Sequence, residues 1–169
     1  ATPYRLKFGM ICSPDHFLNQ ICYEIGIREL IRDGHLCPLV TKAGQTKADT
    51  DGLHVRAGEF LADEVEKLMD QESLVEAACE EIVRYTADRE TCLIFSSGVK
   101  HGQHVARVLK EKNELECGFV CGSTPASERE DFLVRFRGEK SDTLFERKPL
   151  RYLCNVNVLT TGFDAPNID

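Results

Sequence analysis

The chain has 169 residues, of which 42% are hydrophobic and 29% are charged, a composition typical of one soluble globular domain. No apolar run approaches the ~20 residues of a membrane span, and the N-terminus lacks the apolar segment of a signal peptide, so we predict no membrane partner and a cytoplasmic location. The net charge of −7 argues at first against a nucleic-acid partner, but 11 acidic and 3 basic side chains fall within residues 59–90, so the remainder is close to neutral.

Residues 1–48 are predicted to form short elements followed by a linker. The alternation of Ile21, Tyr23 and Ile25 predicts a strand in ICYEI. GIRELIRDG predicts a short helix with Gly34 at its C-terminal stop. The polar, glycine-bearing segment TKAGQTKADTDG is the best linker candidate.

Residues 59–88 are predicted to be helical, with an apolar face that includes Leu74, Val75 and Ile82. The acidic run in this stretch is predicted to be a solvated face. His101 and His104, three residues apart further along, are predicted to lie on the surface of the next helix because no third metal ligand accompanies them.

The eight cysteines form no C-x-x-C pair, and most of them stand beside Ile, Leu or Val. A free cysteine in such surroundings behaves as a small hydrophobe. We therefore predict buried thiols and no metal site.

From residue 91 onwards strands and helices alternate. Three apolar runs, TCLIFS, CGFVCG and LRYLCNVNVL, predict buried strands, and helical patterns fill the two intervals. The second of these helices is predicted to have Thr124 as its N-cap and Pro125 at its first position. The insertion GEKSDTLFERKPL before the last strand is predicted to be a surface loop. This order predicts an α/β fold, an open parallel sheet with helices on both faces.

Each predicted strand is followed by a loop that carries hydroxyls and a glycine. The three loops are Ser96-Ser97-Gly98, Gly122-Ser123-Thr124 and Thr160-Thr161-Gly162-Phe163-Asp164. Ligands bind beyond the carboxyl ends of parallel strands, where hydroxyls and free backbone N–H groups suit phosphate oxygens. Together the loops could follow a nucleic-acid backbone without reading bases. For any one loop, capping or turn formation is the structural alternative, and Asp164 could either make a turn or accept hydrogen bonds from ribose hydroxyls.

Two motifs of self-sufficient nucleotide enzymes are absent from the sequence. It contains no G-x-x-x-x-G-K-[ST] phosphate loop and no acidic pair that marks a magnesium site. We therefore assign no catalytic and no metal-binding residue in this chain.

The three blocks LIFSSGVKHGQHVARVLKEKN, GFVCGSTPASEREDFLVRFRG and RYLCNVNVLTTGFDAPNID resemble the second RecA-like motor domain of superfamily 2 helicases. The resemblance is to the group of the type III restriction enzyme helicase subunit and related DEAD/DEAH-like DNA helicases, and TTGFDAP, which resembles motif V, is its most specific element. The start, ATPYR, resembles the tail of motif III. Residues 1–48 are thus identified with the end of a first motor domain and the interdomain linker. Residues 49–169 are identified with a second RecA-like domain that stops before motif VI.

The resemblance implies a parent motor that holds ATP and Mg²⁺ between two RecA-like domains, so the first domain of the same parent is an expected partner. It also implies nucleic acid, DNA rather than RNA, as the track. The residues implied to contact its backbone are Ser96, Ser97, Gly122, Thr124, Thr160 and Thr161. Gly162 and Asp164 are implied to approach the nucleotide.

We expect the chain to be a fragment of this parent and to show no ATPase activity by itself; robust magnesium-dependent hydrolysis would contradict that expectation. Two alternatives stay open. One is a non-catalytic α/β module that binds a small phosphorylated ligand through the same loops. The other is a motor-like domain that serves as a scaffold for protein interaction.

Overall fold

The structure, a computed structural model, describes residues 4–5, 9–38, 40–42, 44–139, 148–160, 163 and 165–168. The chain divides into two units, residues 1–41 and residues 42–169. None of the helices in the described ranges has the length and apolarity that a bilayer crossing requires.

The first unit contains a two-stranded antiparallel pair, β1 (Tyr4–Arg5) and β2 (Gly9–Met10), and one helix, α1 (Ile27–Arg32). The helix confirms the prediction from GIRELIRDG: Gly34 follows it with a φ of +78°, a left-handed conformation that a glycine adopts without strain. The predicted strand in ICYEI is wrong. Residues 21–25 pair with no strand, and Ile21 and Tyr23 are exposed.

The second unit begins with a short hairpin and two helices. Strands β3 (Val55–Arg56) and β4 (Glu59–Phe60) are joined by Ala57 and Gly58, both with positive φ, as tight hairpin turns favour. Helices α2 (Ala62–Met69) and α3 (Glu72–Tyr85) follow. The stretch predicted as helical at 59–88 is therefore mostly so, but its first residues belong to the hairpin and a break at Asp70 divides it.

The three predicted strands of the sheet are confirmed. They are β5 (Cys92–Phe95), β6 (Cys117–Val120) and β7 (Tyr152–Asn155), which pair in parallel in the order β5-β7-β6. Helix α4 (Val99–Asn113) connects the first two, and α5 (Ala126–Arg137) precedes the third. Because the chain crosses from β5 to β6 and then returns to the centre, two right-handed crossovers place α4 and α5 on opposite faces.

The central strand β7 is buried on both faces, and its alternating side chains define two cores. Tyr152 and Cys154 pack with Val75 of α3 and Leu109 of α4. On the opposite face, Leu153 packs in a second core with Phe136 of α5 and with Leu150. An open parallel sheet covered by helices on both faces confirms the predicted α/β class.

His101 is buried and His104 is mostly covered, so the prediction that they lie on the surface is wrong. His101 is 9% exposed. Helices α2 and α3 cover this part of α4 and bring two carboxylates to His104, with Nδ1 2.7 Å from Asp70 and Nε2 3.0 Å from Glu72. The imidazole of His104 thus joins α4 to the segment that connects α2 and α3.

The acidic run is only partly a solvated face. Besides Asp70 and Glu72, Glu81 accepts a hydrogen bond of 2.7 Å from the backbone N–H of Gln45. Glu76 forms an ion pair with Lys112 of α4. These carboxylates thus join elements that lie far apart in the sequence.

The prediction of buried thiols holds for the second unit. Cys79, Cys121 and Cys154 are buried, and Cys92 and Cys117 are half-buried. In the first unit it is wrong for Cys22 and Cys37, which are exposed, whereas Cys12 is half-buried. Across the described ranges, no three His, Cys, Asp or Glu side chains converge as they would around a metal ion.

The buried thiols predict a loss of stability at alkaline pH. Burial raises the pKa of Cys79 to about 12 and that of Cys154 to about 11, from an ordinary value of 9.0. Because the pKa is raised in the folded state, the stability that these thiols contribute is fully present below pH 9.0 and is lost as the pH rises through the folded-state values. Urea denaturation should show the free energy of unfolding falling by up to about 1.4 kcal/mol per pH unit for each thiol.

A pair of variants tests this origin of the alkaline effect. Cys79→Ala should make the fall shallower, whereas Cys22→Ala, which removes an exposed thiol, should leave it unchanged. Equal slopes in both variants would rule out the buried thiol as the cause.

Candidate functional site

The three predicted ligand loops follow three neighbouring strands at one edge of the sheet. Because β7 lies between β5 and β6, its loop lies between the other two. Two backbone bonds hold the base of the arrangement: Ser96 N–H donates to Asn155 O at 3.0 Å, and Val156 N–H donates to Val120 O at 3.1 Å. Parallel pairing thus brings these loops together, as the rule for open sheets predicts.

In the loop after β5, the two serine hydroxyls have different partners. Ser96 Oγ lies 2.8 Å from Sγ of Cys154, which is fully buried. Ser97 faces His101: its N–H donates to Nδ1 at 3.3 Å, and its Oγ lies 2.8 Å from the same nitrogen. Since a backbone N–H can only donate, Nδ1 is the acceptor and the ring proton is on Nε2. Burial lowers the pKa of His101, which favours this neutral form.

The N-terminus of α4, directly after Ser97, carries a carboxylate from another helix. The N–H of Lys100 donates to Glu66 Oε1 of α2 at 2.7 Å. Gly98 makes room for this contact, since a Cβ there would lie 2.2 Å from Glu66 Cδ. Sequence reasoning missed Glu66, because 34 residues separate it from Lys100 and no local pattern joins them.

The loop after β6 is a closed turn, and here the N-cap prediction is wrong. Helix α5 begins at Ala126 with Pro125 as its N-cap residue. Thr124 therefore lies one residue before the N-cap position, and its hydroxyl accepts a hydrogen bond of 2.9 Å from the N–H of Cys121. Nη2 of Arg129 donates to the Cys121 carbonyl at 2.9 Å, which fixes the turn from below.

Two features of this turn bear on ligand binding. Gly122 is open, since a Cβ placed there would meet nothing within 4 Å. The side chain of Ser123 lies with its Oγ 3.2 Å from Cys121 Sγ, and hydrogen bonds from Ser123 and Thr124 lower the pKa of that thiol. An open backbone next to hydroxyls is chemically suited to an oxyanion.

The loop after β7 is anchored on both sides of its glycine. Asn155 is 0% exposed; its Nδ2 donates to the Ile94 carbonyl at 3.0 Å, and its Oδ1 accepts from the N–H of Leu159 at 3.3 Å. After the glycine, the ring centroid of Phe163 lies 6.4 Å from that of Phe136. The guanidinium carbon of Arg137 lies 5.1 Å from the Phe163 centroid.

The predicted site residues of this last loop are described only in part. Thr160 is exposed. Thr161, Gly162 and Asp164 lie outside the described residues.

Four residues that position these loops were missed from the sequence, namely Glu66, His101, Arg129 and Asn155. Only Asn155 carries a signal that could have been recognised, because it is a polar residue inside an otherwise apolar strand. The other three act through contacts that only packing creates.

Known proteins resemble this chain over most of its length. A protein of Saccharomyces cerevisiae provisionally named ATP-dependent helicase IRC3 is 23% identical over 90% of the chain and 21% of its own length. A protein of Schizosaccharomyces pombe, provisionally named mitochondrial ATP-dependent helicase irc3, is 30% identical over 95% of the chain and 24% of its own length. The chain thus spans about a quarter or less of these two relatives.

Among solved structures, the Sulfolobus solfataricus SWI2/SNF2 ATPase C-terminal domain is similar to 62% of this chain and 49% of its own, with a TM-score of 0.46 and 15% sequence identity. The family model described as the helicase conserved C-terminal domain matches residues 73–169, which is more than half of the chain. This span contains all three strands of the sheet and all three loops. The chain therefore belongs to the family of helicase conserved C-terminal domains.

Proposed function

We propose that this chain is the second RecA-like motor domain of an ATP-dependent DNA helicase or translocase, and that its sheet-edge loops bind the nucleic-acid backbone. The observation that carries this proposal is the alignment of three loops with hydroxyls and glycines on three adjacent parallel strands. Family membership and the names of the two yeast relatives support it. Residues 1–48 would then supply the end of a first motor domain and the linker, and residues 49–169 the second domain.

The chemistry of the loops suits a phosphate backbone better than it suits bases. Hydroxyls and backbone N–H groups donate to phosphate oxygens whatever base is attached. Thr124, Thr160 and Thr161 would supply hydroxyls, and Ser97 would do so after its hydroxyl turns away from Nδ1 of His101, while Gly122 leaves its backbone open to close approach. Ser96, whose hydroxyl faces the buried Cys154, would contribute through its position in the loop.

The same loop after β7 would serve the nucleotide. Gly162 and Asp164 would approach an ATP molecule that is held mainly by the first motor domain, together with Mg²⁺. A loop that touches both ligands is suited to couple hydrolysis to movement along the strand, because a shift at one ligand moves the residues at the other. This chain, without the phosphate loop of a first domain, is expected not to hydrolyse ATP. The finer assignments, to DNA over RNA, to the type III restriction group and to the cytoplasm, stay predictions.

Binding of a fluorescent single-stranded oligonucleotide, measured by anisotropy at low salt, tests the proposal. Ser97→Ala and Thr161→Ala each remove one neutral hydrogen bond, so each should weaken binding about two- to tenfold, as a loss of about 0.5–1.5 kcal/mol implies. Thr50→Ala, which removes an exposed hydroxyl outside the three loops, should change nothing.

Two results would contradict the proposal. One is the absence of oligonucleotide binding, and the other is equal affinity of wild type, Ser97→Ala and Thr161→Ala. Either result combined with binding of a small phosphorylated compound, such as ADP, at these loops would favour the alternative of a small-ligand module.

A further inference from the structure

Glu66 lies at the N-terminus of α4, next to the loop after β5. Its Oε1 accepts the N–H of Lys100 at 2.7 Å, and its carboxyl carbon lies directly over Gly98. The N-cap residue of α4 is Gly98, which has no side chain to cap the helix, so the carboxylate from α2 takes that place. The contact is intramolecular, yet it uses the chemistry of a bound phosphate: oxygen atoms on a free backbone N–H at the positive end of a helix dipole.

The glycine at position 98 leaves space for the carboxylate of Glu66. A Cβ at residue 98 would lie 2.2 Å from both Cδ and Oε1 of Glu66, so any residue except glycine would displace the side chain. Helix α2 is held in place on both sides: Glu64 accepts the backbone N–H of His54 at 2.7 Å, and Asp70, just after α2, bonds to His104. These anchors place Glu66 next to the loop, and its side chain is partly exposed.

We propose that Glu66 is an internal competitor of the nucleic-acid phosphate at the N-terminus of α4. The inference rests on the proposed function, because it assumes that the loop of Ser97 faces the strand. Without nucleic acid, the carboxylate satisfies the backbone N–H of Lys100 and repels an incoming phosphate. When the strand binds, a phosphate takes the position and the Glu66 side chain rotates away. Glu66 therefore lowers the affinity for nucleic acid, and a movement of α2 would change that affinity.

Charge neutralisation at Glu66 tests the competition directly. Glu66→Gln keeps the length and the carbonyl oxygen that can accept from Lys100, but it removes the negative charge. We expect it to tighten binding of a single-stranded oligonucleotide about three- to tenfold at low salt, since a full charge is removed from the phosphate position. Glu66→Ala, which vacates the position altogether, should tighten binding at least as much.

The matched control is Asp63→Asn, which makes the same change of net charge at an exposed position of the same helix. It should alter affinity by less than about twofold, because the carboxylate bonded to the N–H of Lys100 is that of Glu66. Equal tightening by Glu66→Gln and Asp63→Asn would overturn the inference in favour of bulk charge. Unchanged affinity in both Glu66 variants would overturn it in favour of a purely structural cap, and a fall in melting temperature of Glu66→Ala alone would accompany that result.

Failure of this inference can be told apart from failure of the proposed function. If Ser97→Ala weakens binding while the Glu66 variants bind as the wild type does, the loop binds nucleic acid and the competitor is refuted. If neither Ser97→Ala nor Thr161→Ala has an effect and the chain still binds, the loops are not the site, and both proposals fail.

Discussion

Replacement of Phe136 by alanine is expected to lower the free energy of unfolding by about 3–5 kcal/mol. Phe136 is 1% exposed and is the largest side chain of the core between α5 and the sheet. The substitution removes a buried ring and leaves a cavity. Leu150 and Leu153 fill this cavity only in part, because Leu153 is fixed in β7 and Leu150 lies just before that strand. The ring also supports Phe163, so the loop after β7 should loosen.

Urea denaturation at neutral pH measures this loss, and Phe60→Ala is its matched control. Phe60 lies in the β3–β4 hairpin of the same unit and is 51% exposed, so the same substitution there should cost less than about 1 kcal/mol. Comparable losses in the two variants would contradict the assignment of Phe136 to the core. Oligonucleotide binding of Phe136→Ala, measured under conditions where it is folded, should be weakened as well.

Asn155→Leu is expected to destabilise the chain by about 1–3 kcal/mol. It should also weaken oligonucleotide binding by the loop after β7 more than this loss of stability explains. Leucine has the same number and branching of side-chain heavy atoms as asparagine, but it cannot accept the N–H of Leu159 or donate to the carbonyl of Ile94. Leu159 is itself buried, so its N–H would have no water to replace the lost amide. The start of the loop that holds Thr160 and Thr161 would then lose its attachment to the sheet.

Thermal and urea unfolding give the stability change, and oligonucleotide affinity gives the effect on the loop. Asn113→Leu at the end of α4 is the control, because this asparagine is partly exposed at a helix terminus and should tolerate the change within about 0.5 kcal/mol. A variant Asn155→Leu with wild-type stability and wild-type binding would show that the buried amide is dispensable.

The sheet could be predicted from the sequence because its signals are local. Continuous apolar runs at Cys92–Phe95, Cys117–Val120 and Tyr152–Asn155 specify strands covered on both faces, and amphipathic segments between them specify the covering helices. The position of the loops then follows from parallel pairing alone.

Local sequence patterns gave wrong predictions where tertiary contacts determine the structure. The alternation in ICYEI resembles a strand, but a strand needs a partner, and Ile21 and Tyr23 have none among the described residues. His101 and His104 stand among polar residues of α4, yet α2 and α3 cover them, and that covering depends on Asp70 and Glu72 from more than 30 residues away. A helix face is exposed only until another element packs on it.

The candidate site divides in the same way. Hydroxyls and glycines at strand ends can be found from residue type and position, whereas the groups that hold them require coordinates. Thr124 illustrates the difference: its residue type fits an N-cap, but its hydroxyl closes the turn at Cys121 instead. Glu66 illustrates it further, because a glutamate in an acidic run gives no sign that it reaches another helix.

The most direct test of the central claim is the mapping of backbone amide chemical shifts while a single-stranded oligonucleotide is added to the labelled chain. If the sheet-edge loops bind the strand, the largest changes should fall at the amides of residues 96–100, 121–124 and 156–164, and the amide of Lys100 should move as Glu66 releases it. Changes that cluster at the opposite edge of the sheet, around Thr91, Glu116 and Arg151, or the absence of any change at an oligonucleotide excess, would contradict the account.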